Sequence, residues 1–101
     1  YKMTPASVEC IIQIAKQHET ALEVFIDGKA YALKAYVEDP VSYGTTPQAI
    51  AYIQSTRIPI DDIISFIREH IDHIDSMDIV VFGMNLNIIV MRSILLLLFR
   101  S

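Results

Sequence analysis

The run His70-Ile71-Asp72-His73 is where residue types and spacing come closest to a reactive constellation. Two imidazoles at i and i+3 lie near one another on a helix, and Glu69 adds a carboxylate, so a divalent metal would find three candidate donors. A closed site needs ligands from other elements, and the chain offers only His18 and Cys10 for that role. Cys10 stands beside Ile11, Ile12 and Ile14 and is expected to be a buried thiol acting as a small hydrophobe. On a helical wheel His70 and His73 fall beside Phe66, on the flank of an isoleucine stripe, where amphipathic side chains finish the edge of a core. No metal and no cofactor is expected. The same histidines titrate near neutral pH among carboxylates, which suits a pH-sensitive contact.

For catalysis, a nucleophile needs a base and an orienting partner. The chain contains no Gly-x-Ser-x-Gly elbow, phosphate-binding Gly-Lys loop, His-Glu-x-x-His or dinucleotide fingerprint. The best acid is Glu19, which ends a helix just before a hairpin and in outline resembles the acid of lysozyme-like enzymes. Glu23 or Asp27 would be its second carboxylate, each expected at an exposed position. A complete lysozyme fold needs more chain than this, so no enzymatic activity is expected.

Charge is more informative. From Asp61 to Asp78 there are six carboxylates against one arginine, net −5 in eighteen residues. The eight Lys and Arg residues are scattered and the net charge is −4, so no basic stripe exists to neutralise a nucleic-acid backbone. A solvated helix face is the simplest account of the acidic segment. The functional account is a surface for a basic protein partner, in which acids speed encounter and Phe66, His70 and His73 anchor it. The candidate surface is Asp61, Asp62, Phe66, Glu69, His70, Asp72 and His73. The expected function is a small acidic protein-binding module, in charge and size like inhibitor or immunity proteins.

The elements that must position these groups are marked by local chemistry. Thr4-Pro5 supplies a cap and a first-turn proline, and Val8, Ile11, Ile12 and Ala15 recur at helical spacing, predicting a helix over 5–18. Leu22, Val24 and Ile26 alternate with Glu23, Phe25 and Asp27, and Asp27-Gly28 suits a type I′ turn. A two-residue loop pairs Val24 with Tyr31 and Leu22 with Leu33, one apolar face against the helix. Thr46-Pro47 starts a second helix to about Ser55. Pro59 precedes a third over 60–75, with Ile60, Ile63, Ile64, Ile67, Ile71 and Ile74 on one side and Asp61, Asp62, Ser65, Arg68, Glu69 and Asp72 on the other.

The apolar segment 79–99 has three readings. Ile79 to Phe82 reads as a buried strand, and Leu86, Ile88 and Val90 alternate with Asn85, Asn87 and Ile89, which suits a hairpin turning near 83–85. The run Ile94 to Phe99 fits a strand, a short buried helix or part of a membrane anchor. Arg92 lies inside the window, and a central arginine costs about 2.5 to 3.5 kcal/mol on insertion, so spanning is disfavoured. The alternative function follows from this segment: a subunit of a larger or membrane-associated assembly, or a homo-oligomer.

Residues Pro5 to Ala35, with Pro-Ala-Ser opening a helix, a strand, a Gly-Lys turn and a strand ending in Leu-Lys, locally resemble the phosphocarrier protein HPr family. The likeness covers about a third of the chain. It places Lys2 where that family has its phosphoaccepting histidine, Thr4 at its arginine and Ala35 at its regulatory serine, so it implies a local shape without the chemistry.

Together these features predict one α+β domain over 1–101, in the order α-β-β-α-α-β-β, with a two-to-four-stranded antiparallel sheet packed on helices. A first residue that is not methionine fits a processed chain or a piece of a longer one. The single cysteine supplies no disulfide framework, which favours the cytoplasm.

Overall fold

Of the two predicted Thr-Pro starts, the first is visible as a side-chain cap, whereas Thr46 makes no such bond. In the computed structural model, which describes residues 2–18, 20–81, 84–91 and 94–100 and the side chains of 2–17 and 20–80, Thr4 Oγ1 accepts from Ser7 N at 3.2 Å. Helix α1 then runs Pro5–His18. Val8, Ile11 and Ile12 are fully buried, and Ala15 nearly so. Cys10 is exposed, contrary to expectation, because it lies two residues beyond Val8 and so on the opposite side of the helix.

Strands β1 (Ala21–Ile26) and β2 (Lys29–Leu33) form the expected hairpin, with Val24 opposite Tyr31. Its turn uses positive φ at both central residues, +48° at Asp27 and +81° at Gly28, as a type I′ turn requires. A short helix α2 (Lys34–Glu38), 3₁₀ turns at Pro40–Tyr43 and Pro47–Ala49, and helix α3 (Ile50–Thr56) follow. The predicted second helix is thus a 3₁₀ turn leading into α3.

The next element departs from the sequence reading. Arg57–Ile60 is a strand, β3, and it lies parallel to β2 with Tyr31 opposite Ile58. Pro59 therefore marks an edge strand, where a missing N–H is tolerated, and not a helix start. The sheet is mixed and not purely antiparallel. The crossover through α2 and α3 is long enough for the parallel return.

Helix α4 is shorter than its apolar spacing implied, Ile63–Glu69 in place of 60–75. Ile71 and Ile74 still pack on the core, but from a turn. The cause is tertiary. Ile74 O accepts from Met3 N at 2.7 Å, and Asp75 N donates to Phe25 O at 2.9 Å, which ties the chain to α1's leader and to β1 before the helix can continue. Strands β4 (Ser76–Val81), β5 (Met84–Met91) and β6 (Ile94–Arg100) complete the order β3-β2-β1-β4-β5-β6. The C-terminal alternatives thus resolve as strands. Among the described residues no helix is long and apolar enough to cross a membrane.

Four helices pack on both faces of this α+β sheet. On one side α1 and α4 bury Leu22, Val24, Met77 and Ile79. On the other, Tyr36 and Val37 of α2 and Ile53 of α3 pack on Ala21, Ala32 and Val80. Small side chains at 21 and 32 let this outer layer approach closely. Its presence changes the surroundings of every residue that alternates with the first core face.

Candidate functional site

The predicted surface is present but divided. Asp61, Asp62, Glu69, Asp72 and His73 are exposed, while Phe66 and His70 are half-buried. Asp61 lies 3.6 Å from Lys34. Asp62 caps α4, accepting from Ser65 N at 3.1 Å and from Ser65 Oγ at 2.9 Å. Those bonds, the backbone one first, hold its carboxyl below the ordinary range. Arg68 turns away to grip both oxygens of Glu9 at 2.9 and 3.0 Å. Among the described residues Glu69 and Asp72 make no ion pair.

Two of the six acids of the segment belong elsewhere. Asp75 receives Lys2 Nζ at 2.7 Å and Asp27 N at 2.8 Å, which locks the hairpin turn and holds its carboxyl low, chiefly through the lysine. Asp78 is fully buried on the outer face of the sheet.

The centre of the surface extends beyond the helix. Phe66 stacks at 4.7 Å on Tyr31 of β2 and at 4.3 Å on His70. Tyr31 neighbours Ile58 on edge strand β3, which is 42% exposed. Ile58, Tyr31, Phe66 and His70 therefore make one apolar row running off α4 to the sheet edge. Sequence reasoning missed Ile58 and Tyr31 because 56–59 was read as the connection between two helices and Tyr31 as part of the face buried on the first helix. His70 is held in place, since its Nδ1–H donates to Phe66 O at 2.8 Å. A shallow cleft of about 330 Å³ adjoins Asp61 and Asp62, floored by Leu22, Leu33 and Ile63 and edged by Lys16.

Among the described residues no group of three His, Cys, Asp or Glu side chains is close enough to hold a metal. Glu19 lies outside the described residues. Its proposed companions are separated by the fold: Asp27 sits in the turn beside Lys2, and Glu23, expected to face water, is fully buried.

Glu23 is the unexpected feature. Arg57 Nε donates to its Oε2 at 2.6 Å, and the arginine side chain is only 9% exposed. The Arg57 guanidinium lies 5.5 Å from the ring centres of both Phe25 and Tyr52. In the strand register Glu23 stands opposite Asp78, and both side chains are buried. Burial raises the Glu23 carboxyl above its ordinary range, against the lowering by Arg57, and Asp78 adds to the rise. Tyr36 of α2 shares this layer, with its hydroxyl bonded to Thr45 and pushed up to about 12, first by burial and then by Glu23. A carboxylate opposite the small Ala32 was the available sequence signal that a second layer covers this face.

No family model, no curated protein and no solved structure matches the chain. Lys2 is bound to Asp27 and Asp75, Thr4 caps α1 and Ala35 lies within α2.

Proposed function

We propose that this protein is a binding module for a basic protein segment, received on the face formed by α4 and the β3 edge. The observation that carries the reading is the row of exposed Ile58 and half-buried Tyr31, Phe66 and His70, with the exposed carboxylates Asp61, Asp62, Glu69 and Asp72 on and beside the same helix. An apolar centre with a charged border is the usual anatomy of a contact surface, and aromatic anchors carry most of the affinity at such centres. The cleft beside Asp61 would take the aliphatic stem of a lysine or arginine whose head meets the two acids. The acids would act mainly on the rate of encounter, the row on residence time.

The test compares proteins captured from cells by the wild-type chain and by Phe66→Ala and Asp61→Lys/Asp62→Lys/Asp72→Lys variants. The reading expects a partner whose capture falls about tenfold or more with Phe66→Ala, as hot-spot truncation does, and weakens as salt rises. Capture of the same partners at the same level by all variants would remove it.

A second reading draws on the other end of the sheet. β3 is short and carries Pro59, two devices that discourage edge pairing, whereas the sequence of β6 is apolar without proline or charge until Arg100. Assembly through β6 predicts a concentration-dependent mass in sedimentation, which a constant monomer mass would refute.

A further inference from the structure

We infer that the cleft between α1, the ends of β2 and β3, and α4 binds a lysine or arginine that bears a free α-carboxylate, either as the amino acid or as the last residue of a chain. The inference rests on the reading above that the partner is basic, and it names the part of that partner the cleft holds.

The cleft's place in the sheet comes first. Among the described residues β2 and β3 form the parallel pair, and both end at the cleft: Leu33 is the last residue of β2, and Asp61 follows Ile60, the last of β3. Ligands of sheets with parallel strands sit outside the carboxyl ends, where the strands stop and the chain turns away. A volume of about 330 Å³ is at the lower end of small-ligand pockets, which suits a single residue and not a segment.

The lining offers three kinds of surface. Leu22, Leu33 and Ile63 make an apolar floor for an aliphatic stem. Asp61 and Asp62 bring negative charge from the turn before α4. Asp61 meets Lys34 only at 3.6 Å with 85% of its side chain exposed, so that pair exchanges readily, and the Asp62 carboxylate that caps α4 has further lone pairs to share. Lys16 brings positive charge from a different element, α1. Beside it Thr20 carries a hydroxyl that is shut off from solvent and has no hydrogen-bond partner among the described residues. Such a group costs free energy until an acceptor reaches it, and a hydroxyl proton rotates to suit one.

An alkylamine would use the floor and the acids and leave Lys16 and Thr20 unanswered. An aliphatic carboxylate would do the reverse. A basic residue with a free α-carboxylate answers all three surfaces, with its stem on the floor, its head at Asp61 and Asp62, and its carboxylate at Lys16 and Thr20. A lysine inside a chain lacks the last contact, because its carbonyl is neutral.

The test is an amide-shift NMR titration of the full labelled chain with four probes: acetyl-Gly-Gly-Arg as the free acid, the same peptide as its C-terminal amide, acetyl-Gly-Gly-norleucine acid, and free arginine. The arginine acid should shift the amides that line the cleft. It should bind about two- to fivefold more tightly than the amide or the norleucine peptide, the scale of an exposed ion pair. Lys16→Gln should erase the preference for acid over amide and keep that for arginine over norleucine; Asp61→Asn should do the opposite. Thr20→Val should narrow the first preference alone. Free arginine that binds as tightly as the peptide acid assigns the site to the amino acid, and weaker binding assigns it to a chain end; both sustain the inference. Equal binding of acid and amide, or no shift at the cleft, would overturn it. Phe66 is not part of the cleft lining, so the two readings fail separately. Capture unchanged by Phe66→Ala removes the wider one, whereas lost discrimination among the peptides removes only this one.

Discussion

Replacing Arg57 by methionine probes the buried layer most directly. The substitution keeps a long apolar stem between Phe25 and Tyr52 and removes only the charge and its donors. Glu23 is fully buried, and Arg57 meets it at 2.6 Å with 9% of its side chain exposed, so solvent screens the pair little. Breaking a buried pair from one side costs about 3 to 5 kcal/mol, because the remaining charge is left without compensation. Typical domains have about 5 to 15 kcal/mol in total, so the loss is a large share. With a urea slope of about 1.5 kcal/mol/M, the midpoint at neutral pH should fall by about 2 M or more. Acidification should return part of this, since protonating the remaining carboxylate removes the stranded charge. The assay is urea unfolding by far-UV dichroism at several pH values, with Arg57→Lys as control. A loss under about 1 kcal/mol at neutral pH, with no recovery in acid, would refute the claim that the charges are buried and paired.

Asp75→Asn should lower stability by about 1 kcal/mol, a modest figure because the group is 38% exposed. Its carboxyl is held low by Lys2, so this contribution is present above about 3.8 and lost as pH falls through the folded value; matched acid titrations of wild type and variant measure it. At Gly28 nothing lies within 4 Å of an added Cβ, yet φ is +81°. Gly28→Ala should therefore cost about 1 to 2 kcal/mol from backbone conformation alone, and Gly28→Asn less, as thermal midpoints would report. These expectations stand beside the Phe66→Ala capture test.

The first half of the fold was legible because its signals are local. Thr4-Pro5 and Asp27-Gly28 act through their own backbone geometry, and the register between Val24 and Tyr31 follows from the turn. What was not legible depends on distant partners. Residues 57–59 are too few to show a period and Ile60 fits the isoleucine spacing that follows, so only β2 beside them reveals a strand. Ile71 and Ile74 keep helical spacing, but Met3 and Phe25 capture the following backbone. Glu23 alternates with core residues, and alternation alone cannot reveal that a second layer lies on its face. The acidic run likewise concealed that Asp75 and Asp78 serve different places in the fold. Its exposed members were readable on the helix, whereas the aromatic row they border required β2 and β3.

The bond from Asp75 to the Asp27 amide bears on the order of events as the chain is made. Domains begin to fold from the N-terminus at about 5 to 20 residues per second of synthesis. The hairpin therefore leaves the ribosome several seconds before the carboxylate that fastens its turn, 48 residues further on. In that interval the turn is held by strand pairing and Gly28 alone, and Lys2 lacks one of its two anions. The nascent hairpin is thus free to open and re-register until β4 emerges, and the arrival of Asp75 ends that freedom at the tip of the turn.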